Sequence, residues 1–134
     1  MDIELQALVV DDTPLNLKLL GALLTANGFQ VQTATSAEAA LELLRTKPFG
    51  ILFLDIRLPG MDGLALARLL RADPAYKRLV IVAVTASAMK ADEASALAAG
   101  CDAFVTKPIN TRAFVPFVVS LLARLRQLGR RTSE

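Results

Sequence analysis

The sequence predicts an α/β domain, a parallel sheet covered by helices on both faces. Short apolar runs and segments of helical periodicity alternate five times along 134 residues. The runs are apolar almost throughout, as in strands buried on both faces. No repeat, low-complexity stretch or linker interrupts the alternation.

Each element has a local reason. The first run covers residues 5–10 and leads through DDTP into leucines at helical spacing over residues 15–24. Asn27-Gly28 closes that helix, because glycine accepts the left-handed backbone of a C-terminal cap. FQVQTA, residues 29–34, alternates weakly as a strand. SAEAALELLR, residues 36–45, opens a helix with Ser36 as N-cap and Glu38 in the first turn. The third strand spans residues 50–54 and the third helix residues 63–71, which ADP ends. LVIVAV, residues 79–84, is β-branched and strand-like, and an alanine-rich helix over residues 88–99 stops at Gly100. AFVT, residues 103–106, makes the fifth strand, and the last helix begins near Asn110. Pro116 removes a helical amide proton, so a kink or a late start is expected there.

Apolar stripes sort the first and last helices. Leu17, Leu20 and Leu24 form a core stripe in the first, with Leu15, Leu19 and Leu23 as a second row. Phe114, Phe117, Leu121, Leu125 and Leu128 form the stripe of the last, with Val115, Val119 and Leu122 off it. Apolar surplus outside a core stripe suggests a dimer or target interface.

Composition removes several function classes. A hydrophobic content of 54% is ample for one core, while the longest apolar runs fall short of the ~18 residues that span a bilayer. The N-terminus MDIELQ lacks the pattern of a signal peptide, so a cytoplasmic protein is expected. The net charge is only +2, and arginines in RLRQLGRR suit a helix C-terminus, so no nucleic-acid partner and no membrane partner are expected. With no histidine in the chain, histidine metal sites, triads and a self-phosphorylating histidine are excluded. The single Cys101 has no internal disulfide partner and reads as a small core residue.

In parallel α/β sheets ligands bind beyond the carboxyl ends of the strands. Asp11 and Asp12 follow the first strand, Asp55 the third, Thr85 the fourth and Lys107 the fifth, so all five can converge on one edge. Singly, each has a plainer use. Asp12 or Thr13 before Pro14 makes a good N-cap, Asp55 can turn the chain, Thr85 or Ser87 can cap the next helix, and Lys107 before Pro108 suits an exposed turn. Together they form a coherent chemistry. Clustered carboxylates repel unless a cation is present, and hard oxygen ligands select Mg²⁺. An aspartate beside such a metal can attack phosphorus, and ammonium and hydroxyl groups then offset charge on the transferring oxygens.

These residues resemble the receiver domains of two-component response regulators. The likeness rests on Asp11-Asp12, DIRLPGMDG around Asp55, VTA at Thr85 and Lys107-Pro108, and it spans nearly the whole chain. VAVTASAMKADE and AGCDAFVTKPI add a nearer likeness to single-domain cell-cycle regulators and to receivers of hybrid kinases.

The resemblance implies a sheet of order 2-1-3-4-5 with five helices, a receiver over residues 1–127 and a basic tail over residues 128–134. It implies Asp55 as phospho-acceptor, with Asp12 binding Mg²⁺ directly, Asp11 through water, and the Arg57 carbonyl as a further ligand; Mn²⁺ could substitute. Lys107 would pair with the phosphoryl oxygens ahead of a cis peptide to Pro108. Thr85 and the Ala86 amide would hydrogen-bond the phosphoryl group. Phe104 takes the place of a rotating aromatic, and without a hydroxyl it has no tyrosine-type hydrogen bond to offer. A histidine kinase or histidine phosphotransfer protein would donate, docking on Leu15 and Leu19. The downstream protein target would read the helix after Thr85, the fifth strand and the last helix, in a monomer or a phosphorylation-linked dimer.

Three function classes follow. One is a stand-alone receiver acting by protein contacts, expected because about ten residues follow the fifth helix. Another is a receiver from a hybrid kinase or larger regulator. The third is a phosphohydrolase with an aspartyl-phosphate intermediate, which would need an acidic residue where Arg57 stands.

Overall fold

The computed structural model describes residues 3–58, 60–86 and 89–128. After a 3-10 turn at Ile3–Leu5 the elements run β1 (Gln6–Val10), α1 (Pro14–Thr25), β2 (Gln30–Ala34), α2 (Ala37–Thr46) and β3 (Ile51–Asp55). Then come α3 (Gly63–Arg71), a 3-10 turn at Pro74–Tyr76, β4 (Val80–Thr85), α4 (Lys90–Ala98), β5 (Ala103–Thr106) and α5 (Phe114–Gln127). Every strand pairing is parallel, and the order is β2-β1-β3-β4-β5. This is the predicted sheet.

Side-chain alternation along the buried strands divides the core in two. Leu8, Leu52, Leu54 and Ile81 pack on one face with Ala40, Leu66, Leu70 and Ala96 of α2, α3 and α4. Ala7, Val9, Phe53 and Val82 face the other way, against Leu20 and Leu24 of α1 and Val118 and Leu121 of α5. The rings of Phe53 and Phe114 meet there at 5.3 Å between centroids. Since β3 and β4 are buried at every position, neither face can spare an apolar residue.

Local chemistry bounds the helices, at Ser36, Gly28 and Gly100 as expected. The Ser36 hydroxyl accepts from the Ala39 amide at 3.1 Å, and Asp62 caps α3 through the Ala65 amide at 2.8 Å. Gly28 has φ +92° and Gly100 φ +105°. Past each of them an amide reaches back to a helix carbonyl, Phe29 to Leu24 and Cys101 to Ala96, both at 3.1 Å. Cys101 is buried, as read from its neighbours.

Several boundaries differ from the expectation. Residues 110–113 form turns, and α5 starts at Phe114, so Pro116 falls in its first turn where no amide donor is needed. Of the two alternatives, the late start is the one adopted. α4 starts at Lys90, with Met89 at the N-cap position. Its cap is therefore not Thr85, and Ser87 and Ala88 lie outside the described residues. In α1 the buried positions are Leu20 and Leu24, while Leu17 and Leu23 are both half-buried against the same core. In α5 Leu122 is buried rather than off the stripe, and Leu128, at the C-cap position just past the helix, is 71% exposed. The C-terminal arginines do more than complement a dipole: Arg126 makes a two-pronged contact with the carboxylate of Glu4, tying α5 to the first turn of the chain. Arg130 and Arg131 lie outside the described residues.

Candidate functional site

Register brings the polar residues together. Val10 pairs with Leu54, so Asp11 and Asp55 stand side by side one residue further along β1 and β3. Asp55 in turn lies opposite Val84, next to Thr85, and Thr85 lies opposite Thr106, next to Lys107. A backbone bond of 2.7 Å from the Lys107 amide to the Thr85 carbonyl closes this edge. The Lys107-Pro108 peptide is cis.

Lys107 Nζ lies 2.8 Å from Asp11 Oδ2 and 3.1 Å from Asp55 Oδ2. The other oxygen of each carboxylate is also engaged. Asp11 Oδ1 accepts from the Thr13 amide and Asp55 Oδ1 from the Arg57 amide, both at 2.9 Å. Thr13 occupies the N-cap position of α1 without a side-chain cap bond, so the acid that organises this turn is Asp11. Asp11, Asp55 and Thr85 are buried, and Asp12 is exposed at the mouth of the site.

Burial pushes the Asp55 carboxyl above its ordinary value, against the lowering effects of the Arg57 amide and Lys107, and the nearby Asp11 charge adds to the rise. Burial acts on Lys107 in the opposite sense, but its hydrogen bonds to Asp11 and Asp55 outweigh it and hold the ammonium charged. The edge is thus acidic in excess of its one ammonium.

One oxygen from each of Asp11, Asp12 and Asp55 falls within 4.8 Å of the others. Three hard carboxylate donors, with the exposed Asp12 leaving room for water, fit Mg²⁺ or Mn²⁺. Such an ion, when bound, would supply positive charge to offset the carboxylates and the oxygens of an incoming phosphate.

The loop after β3 is held from three sides. Gly63 donates to the Ile56 carbonyl at 3.2 Å, and a Cβ there would lie 2.3 Å from the Asp55 carbonyl oxygen. The Glu38 carboxylate accepts from the Met61 amide at 3.4 Å, so it does more than begin α2. Arg57, largely exposed, pairs with Asp92 of α4 at 3.8 Å across the mouth. The roles of Glu38 and Asp92 were missed because each acts on a segment distant in sequence, and that of Gly63 because its close approach to Asp55 depends on how the loop folds back, although DG at Asp62-Gly63 is a recognisable loop-to-helix signal.

The remaining predicted residues occupy separate places. Ala86 is exposed beyond β4, and Phe104 is half-buried on β5 against the α4 side of the core. Leu15 is 72% exposed at the start of α1, close in sequence to Asp12, whereas Leu19 is half-buried.

The model of the response regulator receiver domain family matches residues 7–118. The chain is 35% identical over 115 residues to the polar-differentiation response regulator DivK of Brucella ovis, covering 86% of this chain and 94% of that protein. The signal receiver domain of a signal transduction histidine kinase from Syntrophus aciditrophicus superposes with a TM-score of 0.83 at 26% identity, over 96% of this chain and 95% of that one. A CheY-like response regulator receiver domain protein from Methanospirillum hungatei JF-1 gives 0.83 at 26% identity, over 91% and 96%.

Proposed function

The chain belongs to the response regulator receiver domain family, and on that premise we propose that it accepts a phosphoryl group on Asp55 from a phosphohistidine partner in a Mg²⁺-dependent reaction. The observation that carries this reading is the ammonium of Lys107 held between Asp11 and the acceptor Asp55 at the carboxyl edge of the sheet.

An Asp55 oxygen attacks phosphorus, an O–P bond forms as the partner's N–P bond breaks, and the freed imidazole keeps the electron pair. Lys107 then exchanges its bond to Asp55 for the phosphoryl oxygens, and the Thr85 hydroxyl and Ala86 amide offer further donors. Asp12, Asp11 and the Arg57 carbonyl, with Asp55, are the residues that would hold the Mg²⁺. Burial favours discharge of this crowded site by any added cation.

The new charge draws Thr85 and Lys107 inward, and Phe104 follows by rotating into the space vacated. α4, β5 and α5 then offer a changed surface to a downstream protein target, as a monomer or a phosphorylation-linked dimer. Met89 and Leu97, 67% and 48% exposed, supply apolar area there. The donor, a histidine kinase or histidine phosphotransfer protein, docks on Leu15 and Leu19. Cytoplasmic signalling fits the likeness to DivK, and no described helix is long and apolar enough to cross a membrane. Similarity over 94% of a DivK protein favours a stand-alone regulator, while the likeness to a histidine-kinase receiver favours the alternative of a receiver within a longer chain. Arg57, where a phosphohydrolase needs its acid, disfavours the enzyme reading.

Intact-mass measurement after incubation with acetyl phosphate and Mg²⁺ tests the acceptor. One phosphoryl group is expected on the native chain and none on Asp55→Asn; equal labelling of both overturns the assignment. In transfer from a cognate phosphohistidine protein, Leu15→Asp with Leu19→Asp should slow the rate about tenfold or more, the loss expected of interface hot spots, while acetyl phosphate labelling is unchanged.

A further inference from the structure

The two ends of α4 are held differently. Its C-terminal end is fixed by Arg71 of α3, whose Nε donates to the Gly100 carbonyl at 2.8 Å and whose Nη2 donates to the Asp102 carboxylate at 2.7 Å. That carboxylate also accepts from the Ile81 amide at 2.9 Å, and the Asp102 amide donates to the Ile81 carbonyl at 2.7 Å, so this end is fastened to β4. The charged side chains are largely withdrawn from water, 19% exposed for Arg71 and 7% for Asp102, where breaking such a pair is costly. The apolar anchors lie here too, because Ala96 and Ala99 are buried. Toward the N-terminus the packing stops. None of residues 90–95 is buried, and Asp92 is the half-buried one among them. Met89, at the N-cap position, makes no side-chain cap bond, whereas Ser36 caps α2 and Asp62 caps α3. Among the contacts of Asp92 is the ion pair with Arg57 at 3.8 Å, which reaches across to the loop following Asp55. α3 provides the contrast: it buries Gly63, Leu66, Ala67 and Leu70 along its whole length.

From this asymmetry we infer that α4 is a hinged strap: residues 90–95 open from the sheet about the anchored segment 96–102, and Arg57 latches the closed form from the acceptor loop. A segment with few buried contacts opens locally at a fraction of the free energy of global unfolding. The latch is an exposed pair of modest strength, so it biases this opening without locking it. Its coupling to signalling rests on the reading of Asp55 as phospho-acceptor. A phosphoryl group there puts a dianion two residues from Arg57, the guanidinium is drawn to it, and its hold on Asp92 weakens. Charge at Asp55 thereby becomes opening at α4, and by reciprocity an open α4 favours the phosphorylated form.

Native-state amide exchange, read by NMR on the full chain without a phosphodonor, tests the strap by itself. The amides of residues 93–96 should be protected about tenfold less, or weaker still, than those of residues 66–69, which hold the same positions in the capped helix α3. Arg57→Gln should lower protection at 93–96 by a further factor of about two to five, the range of an exposed ion pair, with residues 66–69 and the anchor amides of Cys101 and Asp102 unchanged. On an Asp92→Asn background the same substitution should have no effect. Equal protection of the two helices overturns the strap, and insensitivity of residues 93–96 to Arg57→Gln overturns the latch. Excess acetyl phosphate with Mg²⁺ then tests the coupling: protection at 93–96 should fall about two- to fivefold in the native chain and not in Asp55→Asn. Intact mass measured on the same samples separates the outcomes. A labelled chain with unchanged protection overturns the coupling alone; an unlabelled chain overturns the acceptor reading and the coupling with it, while the strap stands or falls on the exchange data taken without phosphodonor.

Discussion

The ammonium of Lys107, 52 residues from Asp55 in sequence, sits 3.1 Å from its carboxylate and 2.8 Å from that of Asp11. The lysine thus contacts both of the aspartates that the sheet buries and offsets part of their charge. Its removal leaves both without a cation. Lys107→Met is expected to destabilise the metal-free protein by about 3 kcal/mol, the low end for breaking a buried pair. Saturating Mg²⁺ should recover a substantial part. Urea unfolding with and without Mg²⁺ measures both quantities, and a loss unaltered by Mg²⁺ would separate the lysine from the acidic cluster.

Binding of Mg²⁺ to the folded chain alone must raise its stability. At a hundredfold excess over the dissociation constant the gain is about 2.7 kcal/mol. Asp12→Ala should abolish most of it, because Asp12 is the exposed member of the three-carboxylate cluster. Thermal unfolding followed against Mg²⁺ concentration gives the comparison, and an undiminished response in the variant would exclude Asp12 as a ligand.

Gly63 has no room for a side chain. A methyl group would press on the Asp55 carbonyl oxygen at 2.3 Å and on Ile56 Cα at 2.6 Å, both of them backbone atoms that move only with the acceptor strand. Gly63→Ala should therefore cost about 1–3 kcal/mol and slow acetyl phosphate labelling of Asp55 together. Ala65→Gly, in the same helix, provides the contrast: some stability is lost, and the labelling rate is kept.

Burial pushes the Cys101 thiol up from 9.0 to about 11. The folded chain thus holds this proton more tightly than the unfolded chain does. Its contribution to stability is complete below pH 9, and it is lost as pH rises from about 9 to about 11, a total of about 2–3 kcal/mol. Denaturant unfolding across this window should show a shallower decline for Cys101→Ala than for the native chain. Parallel pH slopes in the two proteins would refute the assignment to this thiol.

Much of the fold was legible because local rules determine it. Strand and helix periodicity, Ser36 as a cap and the glycines after α1 and α4 each act within a few residues. The convergence of Asp11, Asp12, Asp55, Thr85 and Lys107 followed from the parallel topology, which sends every strand end of that sense to one edge. Element boundaries were less legible. Asn110 reads as a helix start, yet its side chain accepts from the amides of Arg112 and Ala113 and holds a turn, so α5 begins only at Phe114.

By itself, then, the sequence determined the layer architecture, the identity of the polar residues at the carboxyl edge and the chemistry open to them. Tertiary structure alone decided their depths and partners: Asp11 is buried against Lys107 while its neighbour Asp12 is exposed. The same holds for the clasp of Arg71, whose guanidinium meets Asp102 at 2.7 Å and the Tyr76 carbonyl at 3.0 Å. The physical reason is range. Periodicity and capping report energies within a turn or two of chain, whereas the partner of a charge depends on which strands close beside one another and on how much water the packed helices leave at the charged group.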